Sequence, residues 1–157
     1  MNVLLKSATI IDTDSPFHQK KKDVLIENNR IVKIGNNLTC PKDCKEVSLD
    51  DLHISQGWFD SSVSFGEPGY EERETIENGL NVAAKSGFTD VAVNSNTKPF
   101  IDSKATVAFL KNESSSKATN LHPIASLSQA SKGIEMAELF DMKNRGAIAF
   151  GDYNKAI

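Results

Sequence analysis

A chain of 157 residues is long enough for an ordinary domain with a core of its own. Its hydrophobic share of 39 %, charged share of 25 % and net charge of −3 describe a mildly acidic globular protein and exclude a basic nucleic-acid binder. No apolar run is long enough to span a bilayer, and residues 1–6 lack the apolar core of a secretory leader, so the chain reads as cytoplasmic.

Residues 1–55 predict a small β-sandwich module. Alternation predicts a strand over 3–11. Residues 24–35 predict a hairpin turning at Asn28-Asn29, because asparagine tolerates the positive φ that a two-residue turn needs. Short strands follow around 46–49 and 52–55. Lys20-Lys21-Lys22 reads as a solvated loop. Cys40 and Cys44 are the only cysteines. A structural zinc needs four ligands and neither a second cysteine pair nor a His-x-His is near, so they read as free thiols on a loop in a reducing compartment.

From residue 56 the period changes, and 56–157 predicts strands alternating with helices. The first strand covers 58–65. Phe59, Ser61, Val63 and Phe65 fall on one side of it, Asp60, Ser62 and Ser64 on the other, where small polar residues point to a cleft or barrel lumen. A Glu67-Pro68-Gly69 turn ends it. A helix over 71–86 buries Ile76, Leu80, Ala83 and Ala84 and closes at Gly87. A second strand over 88–93, a helix capped by Ser103 and running to about 112, and a third strand over 121–127 follow. A third helix over 134–144 ends at Gly146, and a fourth strand covers 147–150.

Strand–helix alternation at this spacing implies parallel strands joined by right-handed crossovers. Four strands and three helices are half of a (β/α)8 TIM barrel, which takes roughly 250 residues when complete. An isolated half barrel leaves apolar edges open. The chain therefore reads as the amino-terminal half of a longer protein; self-association that completes the sheet is the rival expectation.

Asp60-x-Ser62-x-Ser64-x-Gly66-Glu67-Pro68-Gly69 resembles the first-strand motif of the dihydroorotases, Asp-x-His-x-His-x-Arg-Glu-Pro-Gly, with serine at both histidines and glycine at the arginine. Asn96-Thr97-Lys98-Pro99 resembles the family's Asn-Thr-x-Pro signature. Gly146-Ala147-Ile148-Ala149-Phe150-Gly151-Asp152 is similar to its fourth strand. The resemblance implies an amidohydrolase barrel paired with a small β-sandwich. In such enzymes the first-strand histidines bind zinc, which activates water to open the dihydroorotate ring. The arginine and the Asn-Thr-x-Pro asparagine bind the substrate carboxylate.

Carried onto this chain, Asn96 stands at the substrate-binding position and Asp152 at the metal-bridging one. Asp60 starts the motif, Ser62 and Ser64 replace the metal histidines, and Gly66 replaces the arginine. Serine hydroxyls are poor zinc ligands, and glycine removes the charged carboxylate clamp. The resemblance thus implies a catalytically inactive homologue of pyrimidine biosynthesis that binds no zinc. It also implies a possible structural partner, aspartate carbamoyltransferase, or a small carboxylate ligand. The alternative is an active enzyme with a metal site rebuilt from Asp152 and residues beyond this chain. Plain structural readings remain open: Asn96 as a turn residue, Asp152 as a strand-end loop residue, and Asp60 as a partner of buried backbone. His18, His53 and His122 have no neighbours at ligand spacing and read as packing or surface residues.

Overall fold

A computed structural model describes residues 2–155. The chain divides into two compact units, 1–56 and 57–157.

In the first unit, β1 (Asn2–Ile11) is central. It pairs antiparallel with β2 (Lys21–Glu27), which pairs antiparallel with β3 (Arg30–Gly35). Along its other edge β1 pairs in parallel with β4 (Cys44–Ser48) and then with β5 (His53–Ser55). The module read as a sandwich is thus one hydrogen-bonded five-stranded sheet. Asn28 and Asn29 turn the hairpin at positive φ, as their side chains allow.

The sheet bulges at Ser7, between Leu5 and Ala8. Asp23 occupies the space so created: it accepts from the Ser7 amide at 2.8 Å, the Leu38 amide at 2.9 Å and Lys6 Nζ at 2.8 Å. Burial would raise the Asp23 pKa, but these hydrogen bonds outweigh it and hold the carboxyl below its ordinary range.

The cysteine expectation is corrected here. Cys40 and Cys44 are disulfide-bonded, with Cα atoms 5.7 Å apart. Spacing by itself did not reveal this, because the approach depends on Asp43 adopting positive φ, which folds the loop back on itself.

In the second unit, β6 (Trp58–Val63), β7 (Phe88–Val93), β8 (Asn120–Ala125) and β9 (Ala149–Phe150) are parallel and adjacent in that order. Helices α1 (Ile76–Lys85), α2 (Lys104–Glu113) and α3 (Leu139–Arg145) connect them. Val91, Val93 and Leu121 bury against Leu80, Val107 and Leu110. This is half the strand complement of an eight-stranded parallel barrel.

Helix ends follow local chemistry. Ser103 and Thr106 form a reciprocal capping box on α2. Thr75 caps α1 by accepting from the Asn78 amide, and Glu67 Oε2 takes the Ile76 amide at 2.8 Å. The expected start at 71 is therefore five residues early, because the Gly66 and Glu67 amides bond the Glu74 carbonyl and wind that stretch into turns. The third helix also starts late. Met136 forms an antiparallel bridge with Ser128, which holds the preceding segment extended. Gly146, at φ 112°, supplies the left-handed C-cap of α3.

No described helix is long and apolar enough to cross a membrane.

Candidate active-site region

The carboxyl ends of β6 to β9 and the loops after them carry most of the residues the sequence singles out. In parallel-barrel architectures this end of the strands carries chemistry.

On β6 the expected alternation fails between Asp60 and Val63. Phe59 pairs with Asp90 and Asp60 with Val91, but the register shifts before Val63 meets Val93. The slip puts Asp60 on the helix side, where it lines a cleft with Val63, Phe65, Gly79 and Ala83. Its Oδ1 accepts from the Ser62 amide at 3.0 Å. Phe59 turns to the opposite face beside His122, with ring centroids 6.3 Å apart. Asp60 is thus separated from the two serines it was grouped with.

Ser62 and Ser64 flank the core-packed Val63 and so face away from the helices. Both are exposed. Between them and the core stands Asn94, the buried residue following β7. Its backbone amide bonds the Val63 carbonyl at 2.9 Å. Its Nδ2 donates to Ser62 Oγ at 3.1 Å and to Ser64 Oγ at 3.2 Å. Sequence reasoning missed Asn94; the available signal was its place at a strand end, on the same face as Ala92 by alternation.

Gly66 sits where the loop after β6 closes. Its amide bonds the Glu74 carbonyl and its carbonyl takes the Tyr70 amide, each at 2.9 Å. A Cβ at this position would lie 1.8 Å from the Tyr70 carbonyl oxygen. No side chain fits here without rebuilding the loop, so the absence of an arginine is built into the backbone path.

Asn96 keeps a buried side-chain oxygen, Oδ1, that has no partner among the described residues. An unpaired buried acceptor is costly and calls for a donor.

Asp152 is buried after β9, and its carboxylate is engaged with its own scaffold. Oδ1 accepts from the Leu127 and Ser128 amides, both at 3.1 Å, and Oδ2 accepts from the Ser128 hydroxyl. Burial would raise its pKa. The Ser128 hydroxyl, the two amides and the nearby Lys155 charge outweigh that and hold it below the ordinary aspartate range.

The histidines have local partners. His122 Nε2 lies 2.8 Å from Asp90 Oδ1, which also takes Asn120 Nδ2 at 3.0 Å. The His122 hydrogen bond is the largest of the effects that hold Asp90 below its ordinary range. Together with Phe59 and Ile148 the pair lines an open cleft on the face away from the helices. His18 Nδ1 accepts from the Asp12 amide at 3.1 Å, and His53 Nδ1 donates to the Asp51 carbonyl at 2.6 Å.

The described residues do not by themselves assemble a zinc site. The Ser62 and Ser64 hydroxyls are neutral, weak ligands that each accept from Asn94, and both Asp152 oxygens accept hydrogen bonds from their own scaffold. No cluster of three His, Cys, Asp or Glu side chains among the described residues has metal-ligand geometry.

Residues 53–157 match the dihydro-orotase-like family. The chain is 37 % identical over 154 residues to a dihydroorotase of Pelotomaculum thermopropionicum, covering 97 % of this chain and 35 % of that protein. It is 34 % identical over 158 residues to a dihydroorotase of Geobacter sulfurreducens, covering 100 % of this chain and 37 % of that protein. It thus spans about a third of the length of the curated relatives it matches. Among solved structures it resembles an L-hydantoinase (dihydropyrimidinase) from Arthrobacter aurescens, with TM-score 0.76, 15 % identity and coverage of 94 % of this chain and 32 % of that one. A dihydroorotase structure aligns with TM-score 0.63 and 15 % identity, over 95 % of this chain and 41 % of that one. At such identities these structures speak to the fold alone.

Proposed function

This chain belongs to the dihydroorotase-like family, and from that premise we propose that it is a non-catalytic member which holds no zinc at its first barrel strand. The observation that carries the reading is the Asn94 side chain bonded to both Ser62 and Ser64. Where a metal site needs strong donors such as imidazole nitrogens, this chain has two neutral hydroxyls that share one amide. Catalytic zinc sites hold the metal through histidine, carboxylate or thiolate and leave one position to water. Neither hydroxyl supplies such a ligand, and Asp152 serves its own loop.

The loop at Gly66 supports the same reading. A guanidinium that clamps a carboxylate in two parallel hydrogen bonds has no place to start from there. The scaffold is retained, with its helix caps and its core, while both first-strand histidine positions carry serine and the arginine position carries glycine. A role as a structural partner in pyrimidine biosynthesis, with aspartate carbamoyltransferase as the partner, is consistent with a retained scaffold. Co-purification that yields neither a complex nor altered transcarbamoylase activity would count against it.

The deciding experiment is elemental analysis of the purified protein after exposure to zinc and removal of the excess, together with a dihydroorotate turnover assay. The reading expects less than about a tenth of an equivalent of zinc and no turnover above buffer. A full equivalent retained alongside turnover overturns it.

A further inference from the structure

We infer that Ser62 and Ser64, set by Asn94, form a subsite for a small carboxylate at the place where the family pattern puts two metal-binding histidines. The inference deepens the non-catalytic reading above and rests on it in one respect, that no metal occupies these positions.

Hydrogen-bond polarity sets what the serine pair can bind. A side-chain amide nitrogen only donates. Asn94 Nδ2 gives one hydrogen to each serine oxygen, so both oxygens act as acceptors toward the core. Each hydroxyl proton must then point elsewhere, and no described residue accepts either one. Both serines are exposed, whereas Asn94 is buried and fixed by its backbone bond to Val63. The result is two O–H donors, two residues apart on one face, held by a common anchor.

A histidine pair at these positions would offer lone pairs and attract a cation. The serine pair offers protons and attracts an anion. The two oxygens of a carboxylate accept one hydrogen bond from each hydroxyl, and bonds to a charged acceptor are stronger than those to a neutral one. The neighbouring acids do not compete. The Asp60 side chain lies on the helix side of β6 and takes the Ser62 amide, and both Asp152 oxygens are engaged by Leu127 and Ser128. The position differs from Gly66 and Asn96, where the family resemblance puts its carboxylate contacts.

The test is an NMR titration of the 15N-labelled chain with sodium acetate, read at the Asn94 side-chain amide and the Ser62 and Ser64 backbone amides. Sodium chloride at matched ionic strength and neutral acetamide are the controls. Acetate is expected to give saturable shifts at these three residues, and neither control is. The double variant Ser62→Ala/Ser64→Ala should weaken acetate binding by at least about tenfold, since both charged-acceptor bonds are lost. Asn94→Asp should do the same by a different route, because the new carboxylate would accept the hydroxyl protons and repel the probe. A drift that never saturates, an equal response to acetamide, or unchanged affinity in the serine double variant overturns the inference. Such a failure leaves the zinc reading standing, because that reading is decided by metal content; retained zinc with turnover sinks the zinc reading independently of any acetate response.

Discussion

The ends of β6 and β9 dispose their polar side chains in opposite ways. After β6, Ser62 and Ser64 face away from the helices, exposed and sharing one buried partner. After β9, the Asp152 carboxylate faces inward and fastens the loop at Leu127 and Ser128. At one end two exposed hydroxyls share a buried amide; at the other a buried carboxylate serves its own loop. Residue identity at a motif position does not fix a role. What decides is which donors and acceptors surround it.

Asp23 supplies a benchmark for the second case. It is a buried carboxylate in the β unit with two backbone amides and a lysine as partners, and no family motif touches it. That Asp152 has the same pattern of backbone amides argues for the same structural task.

The sharpest break of the comparison is Asp152→Ala. It removes the acceptors of two amides and a hydroxyl that are buried or half-buried, and should cost about 3 kcal/mol in urea unfolding followed by Trp58 fluorescence. A loss under about 1 kcal/mol would return the carboxylate to the list of free ligands.

Gly66→Arg comes next. Its Cβ would meet a backbone carbonyl and not the flexible end of a side chain, so the loop must rebuild at about 2 kcal/mol. Full stability together with tighter binding of dihydroorotate would show that the loop closes only for want of a side chain.

Acid provides a smaller effect through Asp23. Its folded pKa is depressed, so its stabilisation is complete above the unfolded value of about 3.9 and is lost as pH falls through the lower folded value. Hydrogen exchange of β1 and β2 should accelerate in that window, and Asp23→Asn should flatten the dependence. Acceleration that persists unchanged in the variant would assign the acid sensitivity elsewhere.

Ser62→Ala is the smallest, within about 0.5 kcal/mol, because an exposed hydroxyl is replaced and Asn94 keeps its bond to Ser64. A cost like that of Asp152→Ala would erase the distinction between the two strand ends.

Much of the fold was legible. β7 spans the residues its alternation marks, Ser103 caps α2, Asn28-Asn29 turns the hairpin and Gly146 closes α3, because each depends on neighbours within a few positions. The late starts of α1 and α3 were not legible. They follow from the Glu74 carbonyl meeting Gly66 and Glu67, and from Ser128 meeting Met136. Of the candidate site, the frame from Asp60 to Gly69 drew attention to the end of β6, but Asn94, which bonds both serines there, belongs to no motif and went unnoticed.

Short-range periodicity and residue chemistry encode the strand–helix alternation, the caps, the turns and the family frame. The tertiary structure decided which face Asp60 takes, that Gly66 has no room for a side chain, that Cys40 and Cys44 are bonded, and that Asn94 governs both serines. The Asn94 bonds join residues 32 and 30 positions apart, and the Asp152 bonds span 25 and 24. At those separations a hydrogen bond is set by strand register and loop path, which local pattern does not encode.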